Sequence, residues 1–432
     1  YQESRTSRDN PKADWYVWAD PREDGGPPNN WLSVFGGSSW SYDTWRGQYF
    51  LHNFLKEQPD LNYHNPEVQE AMLAATKFWL DLGVDGFRLD AINFSVHDQK
   101  LRDNPMRPIV PGMKSTQLSF IDPYSMQWHK YDKSQPEMLD FLKRIRKVLE
   151  QYPDKMALGE IGDDDEVGRA IEYSSGGDKL HTCYNFSLVN MTPRSAAVFR
   201  DAIEAFEKKS SEAWPSWAFS NHDVTRAVSR WAGDFSTDPN VAKMLPALLM
   251  SLRGSAFMYQ GEELGLPDTA VAYDDIQDPW GRYLYPKWQG RDGCRTPMPW
   301  NAGQSHLGFS ESTARPWLPV NGAFGPLAAE QQEADPRSTL AFVRKFITWR
   351  KGEEAMVRGA IRFFDTGSEN VLGFTRTSGD KTFACLFNLT PDAAHVTLPQ
   401  GAGNGPVFEW EGQTGTSDGA VIDIPGFGFF IS

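Results

Sequence analysis

The stretch "GVDGFRLDAINF", residues 83–94, opens on a turn glycine and reads for the most part as a short buried strand, yet it carries Arg88 and Asp90. Side chains alternate faces along a strand, so Arg88 and Asp90 share one face while Phe87 and Leu89 point to the other. In a closed barrel one face looks into the lumen and the other onto covering helices. Arg88 and Asp90 are then the lumen pair, with Asp90 at the exposed C-terminal end. An adjacent guanidinium keeps a carboxylate ionised. An ionised carboxylate held in place can serve as a nucleophile. A structural ion pair closing the barrel explains the same two residues equally well.

The flanking pattern repeats this arrangement. "NPEVQEAMLAATKFWLDLG" predicts a helix with Asn65 as N-cap, Pro66 in the first turn and Gly83 as the stop. Its apolar stripe is Val68, Met72, Ala75, Trp79 and Leu82. A polar, proline-rich loop runs from about Ser95 to Lys133. The next helix opens on Ser134 and Glu137 as a capping-box pair, with Met138, Phe141, Ile145, Val148 and Tyr152 as its stripe. "KMALGEIG", "LHTCYNFS" (180–187), "SWAFSNHD" (216–223) and "SAFMYQG" (255–261) are four further strands, with "RSAAVFRDAIEAFEKK" a helix between the second and third of these and "AKMLPALLMSLRG" a helix before the last. "STLAFVRKFITWRKG" (338–352) is a last amphipathic helix.

Alternating short buried strands and helices imply a parallel sheet. Polar residues recurring at strand C-terminal ends imply a (β/α)8 TIM barrel with its site on that face. Eight strands are needed and five are read, so the chain is expected to supply strands 4–8. From about Gly352 the period changes to two. "VLGFTRTSGDKTFACLFNL" predicts a hairpin around Ser378, Gly379 and Asp380, and "HVTLP", "PVFEW", "GAVIDI" and "FGFFIS" predict further strands of an antiparallel β-sandwich. The expected domains are an irregular insertion over 1–62, the barrel over 63–353 and the β domain over 354–432.

Net charge is −14 without a clustered basic stripe, which disfavours nucleic acid and anionic membrane as partners. The apolar run "MLPALLMSL" is too short to span a bilayer. Cys183, Cys294 and Cys385 are odd in number and widely spaced, which suits a reducing, cytoplasmic compartment. Sequons at Asn93, Asn185, Asn190 and Asn388 read as chance matches. Sixteen tryptophans mostly pack cores, although flat rings also stack on pyranose faces.

Two more acids close strands. Glu160, at the end of "MALGE", can carry a raised pKa and donate a proton. It could equally cap a helix or ligate a metal. Asp223, in "SNHD", reads more simply as the N-cap of the next helix. Together, however, Asp90, Glu160 and Asp223 end three strands on one barrel face. A pair of carboxyl groups flanking a bond is the arrangement of glycoside hydrolysis.

"GFRLDAIN", "LGEIG", "FSNHD" and "QPDLN" (58–62) resemble motif segments of the α-amylase superfamily of retaining glycoside hydrolases. "YQGEELGL" (259–266) and "CRTPMPW" (294–300) bring the α-glucosidase and oligo-1,6-glucosidase branch closer. The resemblance implies Asp90 as nucleophile held by Arg88, Glu160 as acid/base, and Asp223 as a clamp on sugar hydroxyls beside His222. It implies that Arg295 helps bind the terminal glucose, and that Phe35, Phe54 and Gln58 form a wall supplied by the inserted domain. Ala91, after the nucleophile, goes with α-1,4 rather than α-1,6 linkages in that family.

The implied activity is α-glucosidase action on short α-glucosides, with oligo-1,6-glucosidase, sucrose or maltose isomerase and transglucosylase as neighbouring alternatives. An inactive transporter-associated relative would lack the carboxylates. No cofactor or metal ligand is expected in these residues. The resemblance places a structural calcium or magnesium ion, and groups gripping the non-reducing sugar, in an N-terminal barrel segment expected to complete the fold. A small sugar is the expected partner, with the protein a monomer or homodimer.

Overall fold

The computed structural model describes residues 1–107, 122–189, 195–210, 212–398 and 405–432. It divides into two compact units, Tyr1–Tyr184 with Pro279–Trp288 and Asn185–Asp278 with Gln289–Ser432.

The first unit begins with a small antiparallel sheet of β1 (Trp18–Ala19), β2 (Trp40–Asp43) and β3 (Gln48–Leu51), with β3 central. Val17, Ala19, Trp31, Trp40 and Leu51 form its core. The helix Pro66–Asp81 follows, and the Asn65 side chain accepts from the Glu67 N–H as its cap. Three parallel strands come next: β4 (Gly86–Leu89), β5 (Met156–Glu160) and β6 (Thr182–Tyr184), in the order β4-β5-β6.

The helix Pro66–Asp81 buries Val68, Leu73 and Leu80, while Trp79 and Leu82 of the expected stripe are 51% and 64% exposed. Apolar residues occupy much of this helix's circumference, so period alone does not choose the flank that faces inward. Its packing against the helix Glu137–Leu149 makes that choice. That second helix buries Met138, Phe141, Ile145 and Val148 as expected. The capping box does not form: Pro136 occupies the N-cap, and the Ser134 hydroxyl donates to Asp163 instead.

In the second unit β7 (Ser216–Ala218) and β8 (Ser255–Phe257) pair in parallel. The helix Pro239–Ser251 preceding β8 is buried along nearly its whole length. With β4–β6, these are the five parallel strands read from the sequence, each shorter than its apolar run.

The C-terminal strands are β9 (Ala360–Phe363), β10 (Val371–Ser378), β11 (Lys381–Asn388), β12 (Ala394–Thr397), β13 (Thr416–Asp418), β14 (Val421–Ile424) and β15 (Phe429–Ile431). They form two antiparallel sheets, β15-β11-β10-β9 and β12-β14-β13. Ser378 pairs with Lys381 across a two-residue turn in which Gly379 takes φ 57°. Such a turn needs a left-handed backbone, which glycine adopts without strain. Leu386, Val396, Ile422, Ile424 and Phe430 fill the shared core. "PVFEW" (406–410) is not a strand: Phe408 is buried against the rings of Phe342, Phe346 and Trp349 rather than standing in a ladder.

Among the described residues no helix is long and apolar enough to cross a membrane. All three cysteines are buried and free. Asn93, Asn185 and Asn388 are buried, which bears out the reading of their sequons as chance matches; Asn190 lies outside the described residues.

Candidate active site

In the first unit the ladder between β4 and β5 pairs Leu89 with Gly159, and the next residue on each strand is an acid, Asp90 and Glu160. Arg88 lies beneath them and holds both. One guanidinium nitrogen binds Asp90 Oδ1, and the other lies 2.8 Å from Glu160 Oε2. Beyond Asp90 the chain turns sharply: Ala91 takes the left-handed conformation, φ 41° and ψ 39°. That turn aims the Ala91 N–H at Glu160 Oε2, 3.1 Å away.

The two acids have different surroundings. The Asp90 side chain is 76% exposed and that of Glu160 is 14% exposed. Burial and a hydrogen bond with Asp90 push the Glu160 carboxyl up to about 7, against the opposing pull of Arg88 and the Ala91 N–H. Two carboxyl groups set apart in this way can divide the roles of proton donor and nucleophile. Both carboxyl groups are bound by the one Arg88 guanidinium, an arrangement that suits two acids flanking a single bond.

An ion pair that closed a core would be buried, but Asp90 is open. The helix after β5, Glu166–Ser174, is capped by Asp165, so Glu160 is not its cap. Nor does Asp223 cap the helix Ala227–Ala232, whose N-cap is Arg226. Among the described residues no three or more His, Cys, Asp or Glu side chains are grouped to hold a metal ion.

In the first unit the Phe35 ring lies 5.8 Å from Phe54 and 6.1 Å from Trp280, and Phe54 lies 5.2 Å from Phe94. Phe35 and Phe54 thus stand in one aromatic group, joined by two rings not singled out in the sequence. Gln58 is exposed and turned back on its own loop, its Oε1 accepting from the Leu55 N–H at 3.4 Å.

The second unit builds its own polar centre on Asp223. Arg291 and Arg295 both donate to Asp223 Oδ1, at 2.8 and 2.9 Å. His222 Nε2 lies 3.3 Å from Oδ2, and Arg295 Nε also donates to the His222 carbonyl at 2.6 Å. Behind them Arg291 forks onto the fully buried Asp278 with bonds of 3.0 and 2.8 Å. Glu262 links the segments following β7 and β8: it accepts from the Ser220 hydroxyl and the Tyr259 N–H, and burial pushes its carboxyl up to about 7.

The family model for the α-amylase catalytic domain matches residues 1–359, and that for a maltogenic amylase C-terminal domain matches 361–431. The chain belongs to the α-amylase family. A probable α-glucosidase of Rhizobium meliloti is 51% identical over 92% of this chain and 72% of its own length. An oligo-1,6-glucosidase of Heyndrickxia coagulans is 31% identical over 92% of this chain and 75% of its own. Among solved structures, the α-glucosyl transfer enzyme XgtA is 48% identical with a TM-score of 0.92, covering all of this chain and 79% of that one. The trehalulose synthase MutB of Pseudomonas mesoacidophila MX-45 is 27% identical with a TM-score of 0.86, over 100% and 80% of the two chains. The α-amylase-family fold is a TIM barrel with a C-terminal antiparallel β domain, and this chain is a glycoside hydrolase of that family.

Arg291 and Asp278 complete this polar centre and are residues that sequence reading passed over. Arg291 stands four residues before Arg295 in "GRDGCRTPMPW". Two arginines in one short segment were the available signal. Arg291→Ala would leave Asp278 buried without its forked partner, and breaking a buried pair in this way costs about 3–5 kcal/mol. A fall of that size in unfolding free energy in urea is the expected result. A loss below about 1 kcal/mol would show that the pair carries little of the local stability.

Proposed function

We propose that the chain is a retaining α-glucosidase that removes terminal α-glucosyl residues from short α-glucosides, with α-1,4 linkages preferred. The observation that carries this is the Arg88-bridged pair of an exposed Asp90 and a buried Glu160 whose carboxyl titrates near neutrality. In the first step an Asp90 oxygen bonds to the anomeric carbon as the glycosidic C–O bond breaks. The released electron pair stays on the leaving oxygen, which takes the Glu160 proton. In the second step a water gives a proton to the Glu160 carboxylate, and its oxygen displaces Asp90 from the anomeric carbon. Every proton and electron pair in this cycle is carried by the sugar, water and two carboxyl groups.

Asp223, fixed by two guanidinium groups, keeps Oδ2 oriented for a sugar hydroxyl, with His222 and Arg295 beside it. Phe35 and Phe54, with Gln58 on the rim, are proposed to line the path of the sugar. The 51% identical α-glucosidase supports this reading. The 48% identical α-glucosyl transfer enzyme favours one variation on it, in which a second sugar takes the place of water in the second step. Product analysis by NMR on maltose, isomaltose and sucrose tests both. Glucose released first as the α-anomer supports the proposal, new disaccharides indicate transfer, and initial β-glucose would contradict retention.

Ala91→Val is expected to move preference partly from α-1,4 toward α-1,6 substrates. A pocket methyl or two is worth only ~1–3 kcal/mol of discrimination. The left-handed backbone at Ala91 adds a stability cost, because a β-branched residue is strained there. Unchanged relative kcat/KM for maltose and isomaltose would refute a role for Ala91 in linkage preference.

A further inference from the structure

Past the ends of β4 and β5 the backbone ladder stops, yet the loops that follow the two acids stay joined. Asn93 stands three residues after Asp90 and is fully buried. Its Nδ2 donates to the Gly162 carbonyl, two residues after Glu160, at 3.0 Å. The same amide donates to the Ser134 hydroxyl at 3.0 Å. Ser134 in turn donates to Asp163 Oδ2 at 2.6 Å, and its N–H donates to the Asn93 carbonyl at 2.7 Å.

The direction of every bond in this group is forced. The Gly162 carbonyl can only accept. Asp163 takes the Ser134 hydroxyl proton, which leaves that oxygen only lone pairs for Asn93. The amide must therefore present its NH2 to both neighbours. Its Oδ1 is buried without a hydrogen-bond partner. A buried acceptor left unpaired is costly, and it is tolerated here in a group that needs a double donor. Ser134 also sits at φ 56°, an uncommon conformation for a non-glycine residue. Strain and an orphaned oxygen at one junction are features that cluster at functional sites.

Resting on the retaining-glucosidase reading above, we infer that Asn93, Ser134 and Asp163 form a positioning group that fixes the nucleophile loop against the acid/base loop. Asn93 is the hub, and it acts through the Ala91 turn, whose N–H reaches Glu160. The charged groups around the hub are also placed. Arg169 Nε lies 3.6 Å from Asp163, Arg107 pairs with Asp164, and Lys133 lies near Asp132, Asp163 and Asp164. Arg88 and Asp90 face Glu160 itself.

The test compares the unaltered protein with Asn93→Ala, Asn93→Asp and Ser134→Ala, by kcat, KM, pH profile and thermal midpoint. Turnover of an α-glucoside by the unaltered protein establishes the underlying reading, and its absence would overturn that reading rather than this inference. In the variants kcat should fall about 10–100-fold with KM changed less than about twofold, as expected for small displacements of catalytic groups. Loosening the Ala91 N–H from Glu160 removes a bond that favours the ionised acid. The alkaline limb of the profile should therefore move up in pH, furthest in Asn93→Asp, which also adds a negative charge. Ser134→Ala removes only one of the two acceptors and decides the matter if the Asn93 variants do not fold. A limb that stays in place, or a kcat loss that tracks the thermal midpoint alone, would overturn the inference.

Discussion

Asp90→Asn should lower turnover of maltose by about 10⁴-fold or more, the scale seen when an enzyme loses its nucleophile or a group acting with it. The amide keeps the shape of the side chain and can still accept a bond from Arg88. It cannot form the ester to the anomeric carbon. Because the Asp90 side chain is 76% exposed, the folded state should lose little stability. Circular dichroism and thermal unfolding close to those of the unaltered protein, with activity gone, are the expected pair of results. Substantial residual turnover would place the nucleophile elsewhere.

Glu160→Gln should separate the two halves of the reaction. On maltose the leaving oxygen needs a proton, so the loss should be about 10²–10⁴-fold, the usual contribution of general acid catalysis. A 4-nitrophenyl α-glucoside has a leaving group stable as an anion, so its first step should be largely spared. Added azide, which needs no general base, should then speed turnover and yield α-glucosyl azide. The pH profile gives an independent check. In the unaltered protein the carboxyl is raised to about 7, so the acid form needed for bond cleavage is lost as pH rises through that value. The alkaline limb of kcat/KM on maltose should fall near pH 7. On the aryl glucoside the Glu160→Gln variant should lack it. An aryl glucoside as impaired as maltose, with no azide effect, would count against Glu160 as the acid.

These assignments were legible in the sequence to different depths for physical reasons. Arg88, Asp90 and Glu160 could be read because a charge inside a short apolar strand is costly, and so stands out wherever it occurs. The five parallel strands showed through their apolar runs, although the ladders proved shorter than the runs. "SWAFSNHD" pairs only over Ser216–Ala218, and the remainder leads into the loop that presents Asp223. The exposed flank of the helix Pro66–Asp81 was misread because its apolar residues are not confined to one stripe. Ser134 looked like a cap because a hydroxyl three residues before a glutamate satisfies the local rule. Its hydroxyl is taken instead by Asp163, 29 residues further on. Arg291 was passed over because its partners, Asp223 and Asp278, lie 68 and 13 residues away. Contacts at such separations leave no local period to read.

Asp90 is expected to form a covalent bond to the sugar during turnover. The most direct measurement is to incubate the protein with 5-fluoro-α-glucosyl fluoride, which forms the glucosyl-enzyme readily and releases it slowly, and to locate the label by peptide mass spectrometry. One fluoroglucosyl group per chain on the peptide holding Asp90, absent from Asp90→Asn, is the predicted result. A label on another carboxylate, or inactivation-free turnover with no covalent adduct, would contradict it.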